Sequence, residues 1–142
     1  MNFDDIRTTA VSESVTLDCI DGGGQTMTLP GELGYSSTDP YAITTTFRTA
    51  GGDVVWTFAR DLLVRGLTAP AGDGDVHVWP CLDAEGQAVV IVELHSPDGE
   101  LLVQISTKDV YRFVNRTLAA VPLGTEGEHL DIDVLIGQLM AA

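Results

Sequence analysis

From Val11 onward apolar and polar residues alternate, with Val11, Glu13, Val15, Leu17 and Cys19 on one face and Ser12, Ser14, Thr16 and Asp18 on the other. A period of two is the spacing of a β-strand with one face buried. Asp21-Gly22-Gly23-Gly24 supplies a turn, and Met27 and Leu29 resume the apolar face, so a hairpin is predicted. Three glycines can suggest a phosphate loop, but no Lys-Ser/Thr pair follows and the next segment is a strand, so the turn reading stands. Pro30 to Asp39 reads as a polar loop. A threonine-rich strand over 41–49, with Tyr41, Ile43 and Phe47 on one side, turns at Ala50-Gly51-Gly52-Asp53 into a strand in which Val54, Trp56 and Phe58 share a side.

A short helix follows directly. Leu62, Leu63 and Leu67 form its apolar stripe, Asp61 and Arg65 pair across one turn, and Gly66 sits where a left-handed C-terminal turn is expected. Trp56 is expected to pack beneath this helix. Pro70 bars further helix, 71–75 is a turn-rich loop, and Val76 and Val78 then alternate with His77 and Trp79 up to Pro80. A turn at 83–86, a nearly continuous apolar strand over 88–95, the turn Ser96-Pro97-Asp98-Gly99 and the alternating Leu101, Val103 and Ile105 complete a second strand group. Val110, Phe113, Val114, Thr117, Leu118 and Val121 recur at helical spacing, with Ser106 or Thr107 available as cap and Pro122 as terminator. Ile132, Leu135, Ile136, Leu139 and Met140 outline a terminal helix whose stripe must cover a sheet or a neighbouring subunit. The expectation is an α+β fold: two antiparallel sheets with helices, a leader at 1–10 and a single domain over 11–142.

Composition sharpens this picture in one respect. The 142 residues carry a formal net charge of -14, with 21 acidic and seven basic residues, and Lys108 is the only lysine. Nucleic-acid binding draws on clustered Lys and Arg, so nucleic acid and anionic membrane are both poor partners. The amino terminus has no long apolar run, which points to neither a signal peptide nor a membrane anchor and makes the cytoplasm the expected location. Cys19 and Cys81 lie far apart without metal-ligand spacing and are expected to be buried, reduced thiols.

Candidate chemistry is sparse. There is no nucleophile elbow, so no catalytic residue is assigned. Glu93 with His95, and His129 with Asp131 and Asp133, place possible metal ligands two apart, but capping and solvation account for these groups, and no metal or cofactor is expected. Asp73-Gly74-Asp75 lacks the later ligands of a calcium loop and reads as a turn. Trp79 is the better aromatic anchor of the two tryptophans, because Asp75, His77 and Cys81 rather than aliphatics share its side. Asp73, Asp75, His77 and Trp79 are therefore the candidate partner contact, and Asp73, Asp75 and His77 the place where an unrecognised acidic catalytic site would lie.

Several blocks are more specific. Asp39-Pro40-Tyr41-Ala42, Trp56-Thr57-Phe58-Ala59-Arg60-Asp61-Leu62-Leu63, Gly66-Leu67, Gly74-Asp75-Val76 with Val78-Trp79-Pro80, Ser96-Pro97-Asp98-Gly99-Glu100, and Val121-Pro122 with Gly124-Thr125-Glu126 resemble the SsgA-like family of actinobacterial sporulation and cell-division proteins. The resemblance implies a non-enzymatic protein that marks the sporulation septum and recruits the tubulin-like GTPase FtsZ, together with sister SsgA-like proteins. It also implies a Whirly-like fold assembled as a homotrimer. Whirly relatives bind single-stranded nucleic acid through basic surfaces; that alternative requires Arg48, Arg60, Arg112 and Arg116 to converge on one face.

Overall fold

The computed structural model describes residues 8–72, 74–130 and 132–141. The strands are β1 (Ala10–Asp21), β2 (Thr26–Ser36), β3 (Ala42–Thr49), β4 (Gly52–Ala59), β5 (Ala71–Gly72), β6 (Val76–Leu82), β7 (Ala88–Ser96) and β8 (Gly99–Ser106). Helix α1 (Arg60–Gly66) joins β4 to β5, α2 (Thr107–Ala120) follows β8, and a 3-10 turn at Glu126–His129 precedes α3 (Ile132–Ala141). The fold is a mostly-sheet α+β structure.

The expected pair of antiparallel sheets is, among the described residues, one eight-stranded sheet of order β4-β3-β2-β1-β8-β7-β6-β5. Two four-stranded meanders are present, but β1 pairs with β2 along one edge and, over its last four residues, with β8 along the other, from Asp18 opposite Gln104 to Asp21 opposite Leu101. Asp18, Cys19 and Ile20 are hydrogen-bonded into both meanders, one on each edge of β1. The expected loop at Pro30–Asp39 is also corrected, because β2 continues to Ser36 opposite Ala10. Pro30 is tolerated since pairing to β3 starts only at Gly31, so its missing N–H falls where the outer side is open. At Gly31 itself an added Cβ would collide with the Leu17 side chain and the Thr46 carbonyl, so glycine there serves close packing.

Register puts every second residue of all the long strands on one concave face. Leu17, Leu33, Ile43, Val78, Val90, Val103 and Ile105 on it are at most 1% exposed, and α2 covers its centre with Val110, Phe113, Val114 and Thr117. Ser106 holds the N-cap position of α2 but makes no side-chain cap bond. Helix α1 packs mainly on β5 and β6 and only lightly on β4, thereby bridging the two edges of the curled sheet. Gly66 lies inside this helix, not at a left-handed turn: the next residue, Leu67, has φ -66°, and a Cβ on Gly66 would overlap Val78. Smallness, not handedness, is what the position requires.

Three further expectations change. Trp56 is on the concave face, where it is only half-buried and lines an open trough to which no described residue of α1 contributes. Cys19 is buried as expected, whereas Cys81 is exposed near the end of β6; both are free thiols. On α3, Ile136, Leu139 and Met140 are 51%, 66% and 80% exposed, while Asp131 and the side chains of Ile132 and Leu135 fall outside the described residues. Of the expected leader, residues 1–7 are outside the described residues; Thr9 and Ser37 exchange hydrogen bonds, and Ala10 already belongs to β1.

Candidate functional surfaces

The strand period that buries Val78 turns His77 and Trp79 to the convex face of β6, opposite Glu93 and Ile91 of β7. Two residues along β7, His95 adds its ring to the same face. The His77 and His95 rings meet edge to face at 6.1 Å. His77 Nε2 lies 3.0 Å from the Gly74 carbonyl, and His95 Nε2 lies 2.7 Å from Glu93. Glu93 thus raises the His95 pKa, mainly through this hydrogen bond; burial opposes the shift, and the charges of Glu93, Glu100 and Asp75 add to it. Asp75 is exposed and its carbonyl accepts the His95 N–H, so the loop is pinned to β7 by backbone. Asp73 lies outside the described residues. The structure therefore gathers His77 and Trp79 with Glu93 and His95, and leaves the Asp75 carboxylate at the margin.

This surface is shallow. A depression of about 190 Å³ lies between Pro70, Ala71, Gly72, His77, Trp79 and Glu93. Among the described residues no group of three His, Cys, Asp or Glu side chains is placed to hold a metal ion. What it offers is a half-buried indole beside the His77 imidazole, with His95 beyond it, a face suited to protein contact.

A larger concavity, which the strand pattern did not disclose, lies at the end of the concave face that α2 leaves uncovered. About 470 Å³ is enclosed by Cys19, Leu29, Phe47, Trp56, Leu94 and Leu101, with Met27 and Val54 on the rim. Its walls come from β1, β2, β3 and β4 on one side and from the β7–β8 hairpin on the other. Curling of the sheet brings them face to face. Among the described residues, the charged ones in the lining are Asp21, Asp98 and Glu100. No sequence signal marks this trough, because each of its apolar residues reads as an ordinary core position in its own strand and its polar ones as turn residues.

The arginines do not converge. Arg48 pairs with Glu32 at 3.0 Å and Asp53 at 2.9 Å. Arg112 and Arg116 both donate to Glu13, at 2.9 and 2.8 Å, and together hold its carboxyl below the usual range; the Arg112 hydrogen bond is the largest cause. Arg60 is 2% exposed. It donates to the Thr117 and Val121 carbonyls at 3.1 and 2.7 Å and to Glu126 at 2.9 Å, with its guanidinium 5.0 Å from the Tyr35 ring centroid. Helix α2 has no basic residue in its own last turn, so Arg60 from α1 supplies both donors and charge at that carbonyl-rich end. The basic face needed for nucleic-acid binding is not formed. Nor is any helix among the described residues long and apolar enough to cross a membrane.

Comparison with known proteins gives a consistent result. The family model described as Streptomyces sporulation and cell division protein, SsgA, matches residues 29–126. The sporulation-specific cell division protein SsgB of Kineococcus radiotolerans is 46% identical over 136 residues, covering 95% of this chain and 82% of that one. SsgB of Streptomyces coelicolor is 42% identical over 134 residues, covering 94% and 97%. Among solved structures, one of SsgB, from work on mutations that correlate to longitudinal cell division during sporulation of Streptomyces coelicolor, aligns with a TM-score of 0.79. It is 44% identical, over 86% of this chain and 96% of that one. An SsgA-like sporulation-specific cell division protein from Thermobifida fusca aligns with a TM-score of 0.80 at 34% identity, over 92% and 95%.

Proposed function

The chain belongs to the SsgA family of sporulation and cell-division proteins, and on that premise we propose that it marks the sporulation septum and recruits FtsZ to it as a non-enzymatic binding protein. The observation that carries this reading is the extent of the match: SsgB relatives align over nearly the whole chain in sequence and in fold. The family blocks are also structurally joined here, since Arg60 of the Trp56–Leu63 block holds Glu126 of the last one. The family is described by cell division and not by a reaction.

The working location is the cytoplasmic side of the division septum, with sister SsgA-like proteins as partners in placing FtsZ. The active form is a homo-oligomer, a trimer on the family's Whirly-like plan. The exposed apolar side chains of α3 support assembly, because Ile136, Leu139 and Met140 gain burial against a second copy. Several copies of a weak site on one particle raise avidity for a polymer without any new contact. The convex face around His77 and Trp79 is the candidate contact for FtsZ. Time-lapse imaging of sporulating cells tests the recruiting role: the tagged protein is expected at future septa before FtsZ, and FtsZ rings are expected to fail there when the gene is removed. FtsZ arriving first, or ladders forming normally without this protein, refutes it.

A further inference from the structure

The trough at the uncovered end of the concave face adjoins the free edge of the sheet. Among the described residues, strand β4 has β3 on one side only, so alternate N–H and C=O groups along its other side have no strand beside them there. Val54 and Val55 on it are 53% and 56% exposed. Val54 and Trp56, two apart, both face the trough, which is the spacing at which side chains of an added strand enter a groove. The volume of about 470 Å³ is within the range of about 300–1,000 Å³ usual for ligand sites. Three carboxylates, Asp21, Asp98 and Glu100, stand in the lining, with no lysine or arginine among its described residues; Asp21 also accepts from the Gly23 and Gln25 N–H groups of its turn, and Glu100 lies 3.5 Å from His95 Nδ1, so Asp98 is the carboxylate given most fully to the trough.

From this combination we infer that the trough and the β4 edge form a docking groove for an extended segment of a partner protein, apolar at alternate positions and flanked by lysine or arginine. The edge supplies main-chain hydrogen bonds, the apolar floor takes alternate side chains, and the carboxylates select the basic flanks and repel acidic ones. Docking of this kind does not depend on FtsZ being the source of the segment.

The probe is a short synthetic peptide with valine or isoleucine at alternate positions between paired lysines, titrated into the full chain carrying Trp79→Phe. Trp56 is then the only tryptophan, and it reports from the trough wall. Saturable blue-shifted emission is expected, together with slowed amide exchange in β4. The same peptide with glutamates for lysines is expected to bind about tenfold more weakly, and D98N with E100Q to remove about that difference. Val54→Lys is expected to weaken the lysine peptide by about tenfold or more, with an unchanged circular dichroism spectrum showing that the fold survives.

The inference is overturned by no change at Trp56, by an equal response to both peptides, by emission changes without protection of β4, or by a response to dodecanoate in place of the peptide, which makes the trough a site for a small apolar ligand. A fall in particle mass on Val54→Lys without peptide binding also overturns it, since the groove is then a contact between copies. All these readings are made without FtsZ, so a failure of filament binding leaves them untouched.

Discussion

Arg60→Ala is the substitution whose consequence can be followed furthest. The side chain is 2% exposed and spans α1, the C-terminal end of α2 and the turn that carries Glu126. Its removal strips donors from two carbonyls and the partner from a carboxylate, and leaves a cavity against Tyr35. Breaking a buried pair by deleting one member costs about 3–5 kcal/mol. That is a large share of the roughly 5–15 kcal/mol by which a domain is stable. At about 2–4 °C per kcal/mol for a chain near this size, the melting temperature falls by roughly 10–15 °C. Arg60→Lys keeps the charge but not the planar fork, and is expected to lose about half as much. Differential scanning calorimetry at fixed protein concentration checks the series, because oligomerisation makes the midpoint concentration-dependent. Glu126 carries the acid dependence. Its pKa is lowered, chiefly by its own backbone N–H, with Arg60 and the Gly124 N–H adding and burial opposing. A depressed carboxylate stabilises the fold above its unfolded pKa and loses that contribution as pH falls through the folded value. Arg60→Ala removes one lowering interaction, so it is expected to flatten the acid side of the stability profile. A midpoint within two or three degrees of the parent, with the acid side unchanged, refutes the role given to Arg60.

Gly66→Ala separates packing from helix propensity. Alanine gains about 1 kcal/mol in a helix interior, but the added Cβ overlaps Val78, which is fully buried, and overpacking costs about 1–3 kcal/mol; a net loss in a urea melt is expected, and a gain contradicts the packing described. Trp56→Ala, at a half-buried trough position, is expected to cost about 1–2 kcal/mol rather than the roughly 3–5 kcal/mol of a fully buried aromatic, and a larger loss in the same assay places Trp56 in the core. His95 has a raised pKa, so its pairing with Glu93 stabilises the fold below the ordinary histidine value and that contribution is lost as pH rises through the folded value. Glu93→Gln is expected to move the His95 imidazole titration, followed by NMR, to lower pH, and an unmoved titration rules out the pairing.

Local pattern carried much of the fold. The Asp21–Gly24 turn, the Ser96–Gly99 turn and the alternation around Val15, Val54 and Val103 each depend on neighbours a few residues away, so strands and hairpins were legible as residues. Joining of the two meanders was not, because pairing of Asp18 with Gln104 links positions 86 apart and leaves no local trace. Pro30 read as a loop for the same reason: whether a proline breaks a strand depends on which neighbouring strand is absent beside it. Arg60 looked like a surface cation and Gly66 like a cap, since neither the α2 carbonyls nor Val78 are near in sequence. Of the candidate contact, alternation did place His77 and Trp79 on one face; it could not add Glu93 and His95, which arrive from β7. The family blocks fared better than single residues because they record long-range constraints such as the bond from Arg60 to Glu126.

Cosedimentation with FtsZ polymerised by GTP tests the central claim most directly. The parent chain is expected to pellet with filaments and to remain in the supernatant without GTP, and Trp79→Ala together with His77→Ala is expected to reduce the pelleted fraction severalfold through loss of an aromatic anchor. Pelleting that survives both substitutions moves the contact elsewhere on the molecule. A parent chain that stays in the supernatant alongside assembled filaments, at the salt and protein concentrations of the cell, contradicts recruitment of FtsZ by this protein.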